Sequence, residues 1–192
     1  MKRLVILTVG KTHSGKTTFA QMLEKALDHS IVIDQDNHAA FINTYYRTLQ
    51  PTTGPNTLKH AISQLMVEYA KEHSDCHLII CNANRNRKGR EDLLENVFPR
   101  SAFLQIIVHF DLPDAVLESR VARSTRNKNI FRSASTFEEV LKRQQTDSSL
   151  KDISDPDERE ADHLFVIRDC AQVDEVIEQI VRLAICSNQP NG

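Results

Sequence analysis

The 192-residue chain is 40% hydrophobic and 26% charged, proportions that fit one globular domain of ordinary size. A net charge of −2 and a pI near 6.4 exclude a global field that would draw nucleic acid or an anionic membrane, so any grip on polyanions must come from local clusters. No run approaches the roughly 20 apolar residues of a membrane span. The four cysteines, Cys76, Cys81, Cys170 and Cys186, form neither a CxxC pair nor a metal-ligand spacing, which suits free thiols in a reducing cytoplasm.

Lys2 and Arg3 followed by Leu4–Val9 look superficially like a secretory leader, but the run is too short and enters a glycine loop without a cleavage site. It is expected to be a strand buried on both faces. A helix follows from Gly15 or Lys16 to about Ala26, with Phe19, Ala20, Leu23 and Leu27 on its apolar stripe. Ile31–Asp34 is the second predicted strand. Residues 38 to 50 suggest a short helix carrying Phe41, Ile42, Tyr45 and Tyr46, broken by Pro51–Pro55. Asn56 or Thr57 can cap a long amphipathic helix through Tyr69.

His77–Cys81 forms the third predicted strand, Arg90–Val97 a helix and Phe103–Phe110 the fourth strand. Asp111–Asp114 opens a helix to about Ser124, with Pro113 in a tolerated first-turn position. Residues 126–135 are polar, basic and without periodicity. Ser135–Glu138 resembles a capping box that starts a helix to about Gln145. A charged loop, Asp147–Asp162, leads to the fifth strand, His163–Arg168, and a terminal helix, Val173–Cys186. This alternation predicts an α/β fold with three α/β/α layers around a five-stranded parallel sheet. It is expected to be one domain over residues 1–186, with a lid near 126–135 and a disordered tail over 187–192.

Gly10-Lys11-Thr12-His13-Ser14-Gly15-Lys16-Thr17 fits the P-loop pattern GxxxxGK[ST] without deviation, between a strong strand and a strong helix. The two glycines permit backbone angles and close approach that a Cβ would block. Successive amides, together with Thr18 at the helix start, can then ring a phosphate at the positive helix end. Lys16 is expected to reach the β- and γ-phosphates of ATP, and the Thr17 hydroxyl to ligate Mg²⁺. No DxxG or NKxD element accompanies the loop, which disfavours a GTPase, and the third strand ends in Cys81-Asn82 rather than in the carboxylate of a motor ATPase.

Ile31-Val-Ile-Asp34-Gln-Asp36, a strand ending in an Asp-x-Asp step soon after the P-loop, resembles the small P-loop kinases of the polynucleotide kinase, zeta toxin and antibiotic phosphotransferase group. That resemblance implies a P-loop kinase-like fold with a basic lid, and a general-base role for Asp36, which would accept the proton of an acceptor hydroxyl. Asp34 would bind substrate or assist the metal. Asn82-Ala-Asn84, followed by Arg90, resembles the family's acceptor loop and implies substrate-binding roles for Asn84 and Arg90. Arg120, Arg123 and Arg126 share a helical side. The resemblance implies that Arg123 and Arg126 close over the triphosphate and stabilise the transferring group. The arginine that polynucleotide kinases place after the Asp pair is missing from Asp36-Asn-His-Ala-Ala40.

The expectation is therefore an ATP- and Mg²⁺-dependent kinase acting on a hydroxyl of a small molecule or nucleotide-like acceptor. Two alternatives remain at this point: a 5′-hydroxyl polynucleotide kinase, and a non-catalytic ATP-binding regulatory module, favoured by the amide at Asn82. Neither the acceptor nor the oligomeric state is written in these residues.

Overall fold

The computed structural model describes residues 2–132, 134–148 and 150–187. Five parallel strands, β1 Arg3–Gly10, β2 Ser30–Asp34, β3 His77–Cys81, β4 Phe103–Phe110 and β5 His163–Ile167, lie in the order β2-β3-β1-β4-β5. Register is fixed by the apolar runs: Val5 aligns with Leu78 on one side and with Gln105 on the other. Among the described residues seven α-helices surround the sheet: α1 Lys16–Ala26, α2 Gln35–Tyr45, α3 Thr57–His73, α4 Arg87–Asp92, α5 Asp114–Ala122, α6 Phe137–Asp147 and α7 Val173–Ser187.

The central strand explains the three layers. Leu4 and Ile6 of β1 pack under Phe19 and Leu23 of α1, Leu117 of α5, Leu141 of α6 and Ile177 and Ile180 of α7. Val5, Leu7 and Val9 point the other way, towards Val67 and Ala70 of α3 and towards Leu94 and Phe98. Each such side chain, fully buried, contributes about 1.5–3 kcal/mol by transfer from water. The chain leaves β1 for the distant β2, returns to β3, then crosses to β4. That reversal at the carboxyl ends of β1 and β3 is where open α/β sheets place their crevice.

Several boundaries differ from the sequence expectation. The helix expected after residue 38 begins at Gln35, because the Asp34 side chain accepts from the Asp36 amide at 2.8 Å and starts the turn at the strand tip. Asn86 caps the helix expected from Arg90, which therefore starts at Arg87 and widens into a π turn over Leu93–Val97. The cap of α6 lies one residue later than expected, with Thr136 accepting from the Glu139 amide. Helix α5 stops at Ala122, leaving Arg123 as its cap. Of the tail expected to be disordered, Ser187 closes α7 and residues 188–192 lie outside those described. Among the described residues no helix is long and apolar enough to cross a membrane.

Candidate active site

The loop between β1 and α1 is shaped by its glycines. At Gly10 (φ +150°) an added Cβ would stand 3.0 Å from both Cβ and O of Phe110, so β4 closes that position to any larger residue. Gly15, at φ +105°, turns the chain into α1 through the left-handed region. Lys16 folds back over the loop and donates to the Lys11 carbonyl at 2.5 Å and to Ser14 Oγ at 3.1 Å. Removal from water pulls its pKa down to about 8.

Neighbouring elements hold the loop from outside. Gln144 of α6 accepts from the Thr12 amide at 2.7 Å, and Arg120 of α5 donates to the His13 carbonyl at 3.0 Å. The His13 ring stands edge-on to Phe137, with Nε2 at 2.7 Å from Ser124 Oγ. Burial, then the Arg126 charge, lowers the His13 pKa, which keeps this imidazole neutral near pH 7. Lys11 points away and pairs with Asp114.

The Thr17 hydroxyl donates to Asp34 Oδ2 at 3.3 Å, and Cys81 Sγ lies 3.8 Å from it. Burial raises the pKa of Asp34 and, with the Asp34 charge second, pushes the Cys81 thiol up to about 12. Thr17 and Asp34 form a hard oxygen pair. Such a pair fits Mg²⁺, which takes one or two protein oxygens and fills its octahedron with phosphate and water. Among the described residues no cluster of three His, Cys, Asp or Glu offers a fuller cage. The oxygen partner of Thr17 thus comes from the tip of β2, whereas Asn82, past the tip of β3, donates to Gln35 Oε1 at 3.0 Å.

Asp36 sits in the first turn of α2, where its Oδ2 accepts from Arg126 Nη2 at 2.8 Å. Arg126 opens an irregular segment that docks on the same helix. Asn43 of α2 donates to the carbonyls of Asn129 and Phe131, Asn129 donates to Thr44 Oγ1, and Arg132 reaches the carbonyls of Pro51 and Gly54. The basic lid is thus folded over the crevice.

Lys16, Thr17, Asp34, Asp36 and Arg126 all line one cavity of about 630 Å³, with Thr12, His13, Gly15 and Thr18 of the loop on its wall. Six expected site residues stand outside that lining: Gly10, Lys11 and Ser14 of the loop itself, and Arg123, Asn84 and Arg90. Arg123 is an exposed helix cap, outside that lining. Asn84 adopts φ +43° and donates to the Thr8 carbonyl, holding its own loop in place. Arg90 corrects the expectation most sharply. It is 0% exposed, forks onto Glu160 at 2.7 and 2.9 Å, and spends its remaining nitrogen on the carbonyls of Asn84, Arg85 and Ser154. A guanidinium so enclosed is closed to a ligand.

The cavity also holds Lys59 in the first turn of α3 and Arg143 and Gln144 on α6, none of which the sequence singled out, and it takes Arg120 rather than Arg123 from the arginine series. The signal for Lys59 was its place three residues after the cap Asn56, which accepts from the Lys59 amide. For Arg143 and Gln144 it was their spacing along the helix that follows the lid.

A family model described as an AAA domain matches residues 5–147. Among curated proteins none matches this chain in sequence. Among solved structures, one from Chloroflexus aurantiacus j-10-fl superposes with TM-score 0.64 at 17% identity, over 95% of this chain and 98% of that one. Shikimate kinase from Bacteroides thetaiotaomicron gives TM-score 0.56 at 13% identity, with the same 95% and 98% coverage. The Mycobacterium tuberculosis APS kinase CysC, in complex with AMPPNP and APS, gives 0.56 at 16%, over 96% and 98%. At such identities these likenesses establish a shared fold, that of the small P-loop kinases.

Proposed function

The chain belongs to the AAA-domain family matched over residues 5–147, and from that premise we propose that it is a P-loop phosphotransferase moving the γ-phosphoryl group of ATP to an acceptor hydroxyl. One observation carries this reading: a P-loop lysine and threonine open on the same cavity as a carboxylate, Asp36, that an arginine of the lid already touches. Two likenesses, a shikimate kinase and an APS kinase, support a small-molecule acceptor.

In this reading the loop amides and Lys16 hold the β- and γ-phosphates, and Thr17 and Asp34 are the residues that would hold Mg²⁺. That ion, when bound, screens phosphate charge and polarises the transferring group. The acceptor oxygen attacks the γ-phosphorus while its proton passes to the Asp36 carboxylate, and the bond to the β-phosphate oxygen breaks to release ADP. Arg126 exchanges Asp36 for the transferring phosphoryl group, where its fork offsets the charge on the equatorial oxygens. Arg120 already bonds the P-loop backbone and supports the same end of the cavity.

The test is Asp36→Asn, measured by ADP release over a panel of hydroxylated metabolites and 5′-hydroxyl oligonucleotides. Mg-ATP affinity should stay within about twofold while transfer slows by roughly 10²–10⁴, the usual contribution of a general base. Lys16→Ala should lose nucleotide binding itself. Wild-type transfer by Asp36→Asn would remove the base from the mechanism.

A second reading, 5′-phosphorylation of a polynucleotide, is favoured by the exposed rings of Phe41, Tyr45 and Tyr46, which pack together at 5.4–6.5 Å on and just past α2, the helix that carries Asp36. Such rings offer bases a stacking surface. Oligonucleotide binding that weakens steeply with salt would select this reading over the first.

A further inference from the structure

Of the two cavity cations that the proposed mechanism leaves unused, Lys59 and Arg143, Lys59 is the one that feels the charges of Asp36 and Asp34. It enters the cavity from the first turn of α3, whereas Arg143 and Gln144 enter from α6, whose Gln144 bonds the P-loop at Thr12. Both cavity carboxylates are already engaged: Asp36 with Arg126, and Asp34 with the Thr17 hydroxyl and the Asp36 amide. Arg132, the other cation close to Lys59, is turned onto the carbonyls of Pro51 and Gly54. Among the described residues, no carboxylate pairs with Lys59 and no oxygen accepts a hydrogen bond from its ammonium group.

A half-buried ammonium facing a polar cavity without a fixed partner is costly for a folded protein to keep. Burial indeed lowers its pKa, against the pull of Asp36 and Asp34. Such a group repays its cost when a ligand supplies the missing anion, since a charge-assisted bond in a site of reduced dielectric is about twice as strong as a neutral one. The Asn56 cap fixes the α3 turn from which Lys59 projects, so the ammonium is held on a defined wall rather than on a free loop.

Building on the phosphotransferase reading, we propose that Lys59 forms an anion subsite for the acceptor, and that the acceptor is a hydroxyl compound bearing a carboxylate, phosphate or sulfate group. The anion would rest on Lys59 while the hydroxyl faces Asp36. In that arrangement Lys59 orients the acceptor and takes no part in the chemical step. A neutral polyol of the same size would lack the contact that sets its hydroxyl against the base.

The probe is inorganic sulfate, titrated by calorimetry at constant ionic strength into protein saturated with Mg-ADP, so that the P-loop is filled. Sulfate should saturate one site in the wild-type protein. Lys59→Met should weaken it at least tenfold, while Lys59→Arg restores most of the affinity. Unchanged Mg-ADP affinity in both variants shows that the fold and nucleotide site survive. Equal sulfate affinity in wild type and Lys59→Met, as expected of sulfate resting only at the γ-phosphoryl position, would overturn the proposal, as would the absence of saturable binding. Failure of Mg-ADP to bind would instead count against the phosphotransferase reading. In that event the same titration on nucleotide-free Lys16→Ala still reads Lys59, with the same Lys59→Met comparison deciding.

Discussion

At the residue scale the site is governed by what burial does to charge. Lys16 carries an ammonium whose pKa is about 8 when no phosphate is near, against 10.5 in the unfolded chain. Between those two values the unfolded chain holds the proton and the folded chain does not, so stability of the nucleotide-free protein rises with pH from about 8 to about 10.5. Below 8 both states are protonated and the penalty is constant. Nucleotide binding runs the other way. A polyphosphate favours the charged lysine, so complex formation above pH 8 must take up a proton, and affinity should fall by up to about tenfold per pH unit there. Calorimetric Kd values for Mg-ADP at pH 7, 8 and 9, in two buffers of different ionisation heat, measure both effects. A flat Kd with no proton uptake would mean that Lys16 stays charged in the empty loop. Lys16 and Thr17 were legible in the sequence because the motif ties their identity to a backbone shape that glycine alone can make. Arg90 was not, because an arginine after a loop looks solvated until Glu160, 70 residues later, is known to face it.

At the scale of elements, the strands and most helices follow from periodicity alone, and the helix starts that slipped are capping decisions. Asp34 is the instructive case. As a residue at a strand tip it is compatible with a turn, a cap or a metal partner, and in the fold it serves as the cap of α2 while accepting from Thr17. The lid is the converse. Residues 126–132 lack a period, which correctly suggests irregular backbone, yet they are fastened to α2 through Asn43 and Asn129 and to residues 51–54 through Arg132. Side chain to carbonyl bonds of this kind leave no trace in hydrophobic pattern. Asn43→Ala removes two donors to the lid, each worth about 1 kcal/mol net. The docked-to-undocked ratio should then fall roughly tenfold or more. Amide exchange over 126–132 should quicken by that factor and ADP release should become faster, with the sheet core unaffected. Unchanged exchange in that segment would show that Asn129, Arg126 and Arg132 suffice to keep the lid down.

At the scale of the whole molecule, the layer order was readable because β1 is apolar on both faces and the helices between strands each show one apolar stripe. The long segment before β5 was not readable beyond a charged loop, since it has neither period nor motif. It is instead strapped to the loop after β3, to the start of α4 and to β4. Ile153 bridges Asn86, the Asp152 carbonyl accepts from the Arg87 amide, and Asp162 and Gln105 bond each other through backbone and side chain. The strap closes on the Arg90–Glu160 pair, with side chains 0% and 4% exposed. Such a pair contributes little over an apolar replacement, but breaking it strands a charge in the interior at a cost of about 3–5 kcal/mol. Arg90→Ala and Glu160→Ala should therefore each lower the Tm by roughly 6–20 °C for a chain of this length. The double change Arg90→Met with Glu160→Leu should recover part of that loss. It cannot recover all, because the carbonyls of Asn84, Arg85 and Ser154 would lose the donor that Arg90 gives them. Thermal unfolding of the three variants separates the terms. A double variant no better than either single would assign the cost to the carbonyls, and an Arg90→Ala protein as stable as wild type would mean that the strap does not depend on this pair.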